Sequence, residues 1–255
     1  MRLEHDGASL DIVLVPWDSE VFGYPVAQIE RFDLGRATTA AALFDDLETW
    51  CADQGVRLIS CRLDHERLAE SAALEEHGFR FIETVLVPRL GPLKDLDPPR
   101  RTIDVEEASA ADLDAIEAIA STVFTTGRFL LDRRLDPELS HRRYANWVRT
   151  SFADARHTVL KAEVAGDLVG FFIVEHRSDG GVYWHLTAMA PRWQGQGLGL
   201  SVWRTMLLRH RAEGATSVET TISGHNLPVL NLYARLGFSF ASSQMTFHRL
   251  RDAAG

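Results

Sequence analysis

The 255-residue chain carries 27 Lys and Arg against 36 Asp and Glu, a formal net charge of −9, and 45% of its residues are hydrophobic. That apolar fraction is enough for a buried core, and the acidic balance argues against a broad nucleic-acid or anionic-membrane surface, since both need a basic face. Neither nucleic acid nor membrane is therefore expected as a partner. Its only cysteines, Cys51 and Cys61, lack zinc-type spacing, so no metal is expected, and free buried thiols are favoured over a disulfide. The first residues have no apolar signal segment and no run approaches membrane-spanning length, which points to a soluble, cytoplasmic protein.

In chain order, a helix is predicted over 38–54, then a strand at 58–61, a helix, and a Gly-Phe turn (Gly78-Phe79) leading into another strand. Prolines and charges without apolar periodicity over 91–100 mark an exposed connection, dividing the chain into domains 1–94 and 102–255. Beyond it come a short strand at 103–106 and a helix from about Ser109 to Phe124, with Leu113, Ile116, Ile119, Ala120 and Val123 on one face. A second helix over 142–152 turns Tyr144, Trp147 and Val148 inward. Strands at 158–164 and 168–176 flank Gly166-Asp167, a hairpin turn by composition. A strand at 182–189, a glycine-rich segment, a helix to about Glu213, a strand at 217–222, a helix at 227–236 and an extended end at 239–249 complete an α/β sandwich around a mixed sheet. The first half resembles a worn copy of the second. Aligning Gly78-Phe79 with Gly237-Phe238 sets Arg67 opposite Asn226 and Leu74 opposite Tyr233, so the copy lacks the polar groups needed for chemistry.

The glycine-rich segment, Gln194-Gly195-Gln196-Gly197-Leu198-Gly199, lies between an apolar strand and an amphipathic helix with Leu198, Val202, Met206 and Leu207 on its buried face. A helix start offers unpaired N–H groups and partial positive charge, and glycines let an anion approach the backbone closely. A pyrophosphate suits such a loop. No Lys-Ser/Thr follows the glycines as a nucleotide-hydrolase loop requires, and the Gly-x-Gly-x-Gly spacing is not that of a dinucleotide fold. A glycine-rich turn without a ligand is the remaining alternative.

Gln-x-x-Gly-x-Gly after a strand resembles the acetyl-CoA loop of the GCN5-related N-acetyltransferases (GNAT), with Gln194, Gly197 and Gly199 at its defining positions. Asn226-x-x-Val229-x-x-x-Tyr233-x-x-x-Gly237-Phe238 is similar to that family's second motif, with Val in place of Ala. The resemblance implies a GNAT fold with a mixed central sheet preceded by a truncated GNAT-like half-domain. It further implies acetyl-CoA as acyl donor, held by Thr187, Met189, Gln194, Gly195, Gln196, Gly197, Leu198, Gly199, Asn226 and Asn231. Met189 would point its N–H at the thioester carbonyl, and Tyr233 would be the general acid that protonates the leaving thiolate. A phenol is protonated at neutral pH and suits that role; packing beside Phe238 is the alternative for Tyr233. For the base, His185 stands ahead of Glu219 and His225, with proton loss through ordered water also open.

Trp17-x-x-x-x-Phe22-Gly23, the half-domain, Arg128-Phe129 and Tyr144-Ala145-x-Trp147 are similar to the TDP-fucosamine acetyltransferases. That likeness implies a small-molecule amine acceptor, the amine of a nucleotide-linked amino sugar, with Arg128, Phe129 and Tyr144 binding it. Guanidinium geometry suits a phosphate, and a solvated Arg128 is the alternative. A different acyl donor, a natural-product amine and a CoA-binding protein without turnover remain rival readings, and a homodimer is left open.

Overall fold

The computed structural model describes residues 1–37 and 39–251. The elements run β1 (Arg2–His5), β2 (Ala8–Leu14), α1 (Pro16–Phe22), β3 (Val26–Asp33), α2 (Ala41–Asp53), β4 (Leu58–Asp64), α3 (Leu68–Glu76) and β5 (Arg80–Leu90). They continue with β6 (Asp104–Glu107), α4 (Leu113–Val123), α5 (Arg128–Leu131), α6 (Pro137–Ala153), β7 (Thr158–Val164), β8 (Asp167–His176) and β9 (Gly181–Met189). Last come α7 (Gly199–Ala212), β10 (Ser217–Thr220), β11 (Ile222–Ser223), α8 (Leu227–Arg235) and β12 (Ser239–Leu250). No helix among the described residues is long and apolar enough to cross a membrane.

The chain forms two compact units: Met1–Val85 with Arg128–Leu139 and Ser242–Gly255, and Leu86–Gly127 with Ser140–Ala241. These bodies do not follow the contiguous segments 1–94 and 102–255. The 91–100 connection lies within the second unit, because β5 runs on to pair with β10 at Leu90↔Val218 and Leu93 is buried in that unit's core. The chain end belongs to the first unit, because Gln244–Leu250 pairs antiparallel with β4.

In the first unit β2 and β3 are antiparallel and β3 and β4 parallel, with α2 in the crossover. Leu43, Phe44, Leu47 and Cys51 form the buried stripe of α2, spaced three and four apart as a helix requires. The predicted start of that helix at Thr38 falls outside the described residues. Cys51 and Cys61 are free and buried, and burial pushes their thiols up to about 11 and about 12.

In the second unit β6, β7, β8 and β9 are antiparallel neighbours, and β10 joins β9 in parallel across α7. The β7–β8 hairpin turns through Ala165 and Gly166, both with positive φ (51° and 83°), the backbone a two-residue turn between twisted strands needs. Ser109 and Asp112 form a capping box ahead of α4, and α4 buries Ile116, Ile119 and Ala120. Three expectations are corrected. α6 begins at Pro137, five residues before 142; α5 was not predicted; and the strand at 217–222 is broken at Thr221 into β10 and β11, both of which pair with β5.

α3 and α8 show the same local plan in their own units. Arg67 (φ −82°, ψ 57°) and Asn226 (φ −88°, ψ 63°) are the N-caps, Leu74 and Tyr233 are buried, and Gly78 (φ 81°) and Gly237 (φ 85°) reverse the chain before buried Phe79 and Phe238.

Candidate active site

The parallel pairing of β9 with β10 ends at Trp184↔Thr220, where Thr220 Oγ1 donates to the Trp184 carbonyl (2.8 Å). β9 continues to Met189 paired only with β8 among the described residues, so its other edge is open over this stretch. Ala190 N–H donates to the Val169 carbonyl (2.9 Å). Because successive N–H groups of a strand point to opposite sides, the Met189 N–H faces the open edge. Its carbonyl accepts from Gln194 Nε2 at 3.0 Å, which ties the glycine-rich loop to the strand end.

That loop turns at Gly195 (φ 73°) and Gly197 (φ 74°), and a Cβ at either would meet nothing within 4 Å. Glycine is thus required by the sign of φ rather than by crowding, and the loop face is left open. α7 starts directly after it with Leu198 as N-cap and no side-chain cap, so its first N–H groups have no side-chain acceptor. α7 is anchored below by Val202, Trp203, Met206 and Leu207.

These features border one cavity of about 700 Å³. The structure brings Thr187, Met189, Gln194, Gly195, Gly197, Leu198, Gly199, Asn226 and Asn231 into its wall. Gln196 is not in it, because its Nε2 folds back onto the Arg192 carbonyl (2.6 Å). Asn226 also caps α8, its Oδ1 accepting from the Val229 N–H (3.4 Å). The volume, the open strand edge, the glycine backbone and the uncapped helix start all suit an elongated donor ending in a pyrophosphate.

Tyr233 is 2% exposed and packs on Phe238 (4.8 Å between centroids) rather than bordering the cavity. Burial raises its phenol above the ordinary value, moderated by the polar groups of Thr187, Trp203 and Thr220 around it. Of these, Thr187 and Trp203 belong to the cavity wall. His185, two residues before Thr187, is outside the wall; its Nε2 lies 2.8 Å from Glu175 Oε2. Burial lowers the His185 pKa and Glu175 partly offsets that shift. The alternative bases are elsewhere engaged or exposed: Glu219 pairs with Arg177 (3.1 Å) and His225 is exposed.

Tyr144 stacks on the cavity residue Phe124 (4.5 Å, 22°). Arg128 and Phe129 belong to the first unit, where Phe129 is 2% exposed against Phe22 and His248 and Arg128 lies over its ring (4.6 Å). The sequence reading missed wall residues Val123–Thr126, Trp203 and Arg235. Two of these were within reach of helical periodicity, since Trp203 is four residues after Gly199 and Arg235 four after Asn231.

An open-edged strand, a glycine turn and a helix start around one cavity are the arrangement of an acyl-CoA-dependent N-acyltransferase. Residues 117–238 match the acetyltransferase (GNAT) family, and that region of the chain is a member of it. Among curated proteins, the spore coat polysaccharide biosynthesis protein SpsD of Bacillus subtilis (strain 168) is 18% identical over 232 residues, covering 91% of this chain and 80% of its own. A GCN5-related N-acetyltransferase from Sphaerobacter thermophilus shares the fold with a TM-score of 0.66 at 13% identity, over 96% of this chain and 76% of that one. A tandem GNAT protein from the clavulanic acid biosynthesis pathway does so with a TM-score of 0.63 at 14% identity, over 97% and 80%.

Proposed function

We propose that this chain moves an acetyl group from acetyl-CoA to the primary amine of a nucleotide-linked amino sugar by direct attack, with Tyr233 as general acid. The observation that carries the donor side is the convergence of the loop, the open edge of β9 and the Asn226–Asn231 face on one cavity. In this reading the loop amides and Arg235 hold the pyrophosphate, while β9 and the two asparagines hold the pantetheine arm. A thioester supplies an acyl carbon open to amine attack and a thiolate leaving group. The Met189 N–H, aimed at the open edge, stabilises the oxyanion of the tetrahedral intermediate. Tyr233, behind the wall, gives its proton to the departing sulfur by way of the Thr187 hydroxyl that lines the cavity, and its raised pKa keeps it protonated for that step. His185, oriented by Glu175 and kept neutral by burial, takes the proton of the incoming amine.

The sugar acceptor rests on the relative named for spore coat polysaccharide biosynthesis and on the motifs around Trp17, Arg128 and Tyr144. Tyr144, stacked on the wall residue Phe124, is assigned to the acceptor side. In the same reading 1–94 is a degenerate GNAT-like domain and 102–255 the catalytic one. The site acts in the cytoplasm. The test compares kcat/KM for nucleotide-linked amino sugars, free amino sugars and simple alkylamines with acetyl-CoA as donor. A clear preference for the nucleotide-linked class is expected; equal or better use of the other amines refutes the acceptor assignment.

A further inference from the structure

Three neighbouring strands bring His157, Glu175 and His185 together on the second unit, with a donor atom from each within 4.8 Å of the others. The register explains the meeting. Thr158 pairs with Val174, which sets His157 beside Glu175 at the end of β7. Between β8 and β9 the pairing passes from Ile173↔Leu186 to Val174↔Trp184 and leaves His185 as the extra residue of a bulge, a device that re-aims a side chain. All three side chains are partly buried, at 11%, 31% and 20% exposure for His157, Glu175 and His185.

We propose that His157, Glu175 and His185 form a binding site for one divalent transition-metal ion of the zinc class. Two imidazoles and one carboxylate are a donor set suited to such an ion, with the fourth position open to solvent. Metal–ligand bonds of about 2.0–2.2 Å are within reach of this spacing once the half-exposed Glu175 side chain turns. The outer contacts support the assignment. Ser151 Oγ sits 3.2 Å and Asp154 Oδ2 3.9 Å from His157 Nδ1, engaging one nitrogen and leaving Nε2 to offer, the arrangement that orients metal-binding histidines. A second His/Glu group among the described residues, His176, His210 and Glu213, lacks this freedom. There His210 Nε2 accepts the Trp184 indole N–H (3.0 Å) and Nδ1 faces Glu213 (3.3 Å), so neither nitrogen has a spare lone pair. An ion held at His185 Nε2, the nitrogen that faces Glu175, would shift the ring proton to Nδ1, remove the lone pair His185 needs as base, and therefore inhibit transfer.

The test is calorimetric titration of zinc chloride into the full chain without acyl donor, so it is separate from the success or failure of the transferase reading. Saturation at one ion per chain is expected, with affinity at least ten-fold weaker in His157→Ala and in Glu175→Gln, and unchanged in His176→Ala. The same ion should raise the melting temperature of the wild type but not of His157→Ala, because only a folded site gains from binding. Absence of binding to the wild type, or equal affinity in both His157→Ala and Glu175→Gln, overturns the inference.

Discussion

Gly197→Ala separates what the loop contributes to folding from what it contributes to binding, provided it is compared with Gly214→Ala. Both glycines have positive φ (74° and 91°), and a Cβ at either would meet nothing within 4 Å. Each substitution therefore costs only the left-handed backbone strain of an L-residue, about 1–2 kcal/mol. They differ in place. Gly197 is in the cavity wall, and Gly214 follows the C-terminal end of α7. In a urea titration followed by far-UV dichroism, the two variants should lose similar stability. In calorimetric titration with acetyl-CoA, Gly197→Ala should weaken affinity at least ten-fold, about 1.4 kcal/mol, because a methyl group and a shifted amide stand where the phosphate must approach. Gly214→Ala should bind as the wild type does. Equal affinities for the two variants would refute the loop as the donor's anchor.

Other outcomes follow from the same geometry. Tyr233→Phe keeps the ring that packs on Phe238 and removes the proton, so turnover should fall about 10²-fold or more with donor affinity little changed; unchanged turnover removes Tyr233 as the acid. Arg235→Ala should weaken acetyl-CoA binding several-fold, and the loss should shrink as salt is raised. In the first unit, burial depresses the His248 pKa to about 4 against an ordinary 6.5, the nearby Asp132 carboxylate offsetting part of that shift. A depressed folded-state pKa gives stability that is present above pH 6.5 and is lost as pH falls toward 4, at up to about 1.4 kcal/mol per pH unit. His248→Gln should flatten the fall in urea midpoint between pH 7 and 5, and an unchanged slope would contradict this. The buried thiols of Cys51 and Cys61 should resist a thiol reagent in the native protein and react once urea unfolds it.

Part of the candidate site's wall was legible in the sequence because its groups are local. The loop is six consecutive residues, and Asn226, Asn231 and Tyr233 keep their spacing on one helix. The β7–β8 hairpin was legible but one residue out: Gly166-Asp167 reads as the turn, whereas the chain turns at Ala165-Gly166 and Asp167 already belongs to β8. What the sequence hid depends on distant pairing. The chain end joins β4 through a register of Gln244–Leu250 that no local pattern announces, and the contacts of Leu93 draw the 91–100 connection into the second unit. Phe129, expected at a ligand, is 2% exposed against Phe22 and His248, residues far from it in sequence. The packing of Tyr233 on Phe238 was open as an alternative in the sequence, but its place behind Thr187 and Trp203 was not legible, because that depends on how α7 and α8 pack.

The central claim, acyl transfer to an amine, is tested most directly by following free CoA thiol when the full chain is mixed with acetyl-CoA, with and without a panel of amines that includes nucleotide-linked amino sugars. The expected result is thiol release that requires an amine, saturates with it, and is matched by acetylated product. Tight binding of acetyl-CoA with no amine-dependent release across the panel would contradict it and leave a CoA-binding protein without turnover.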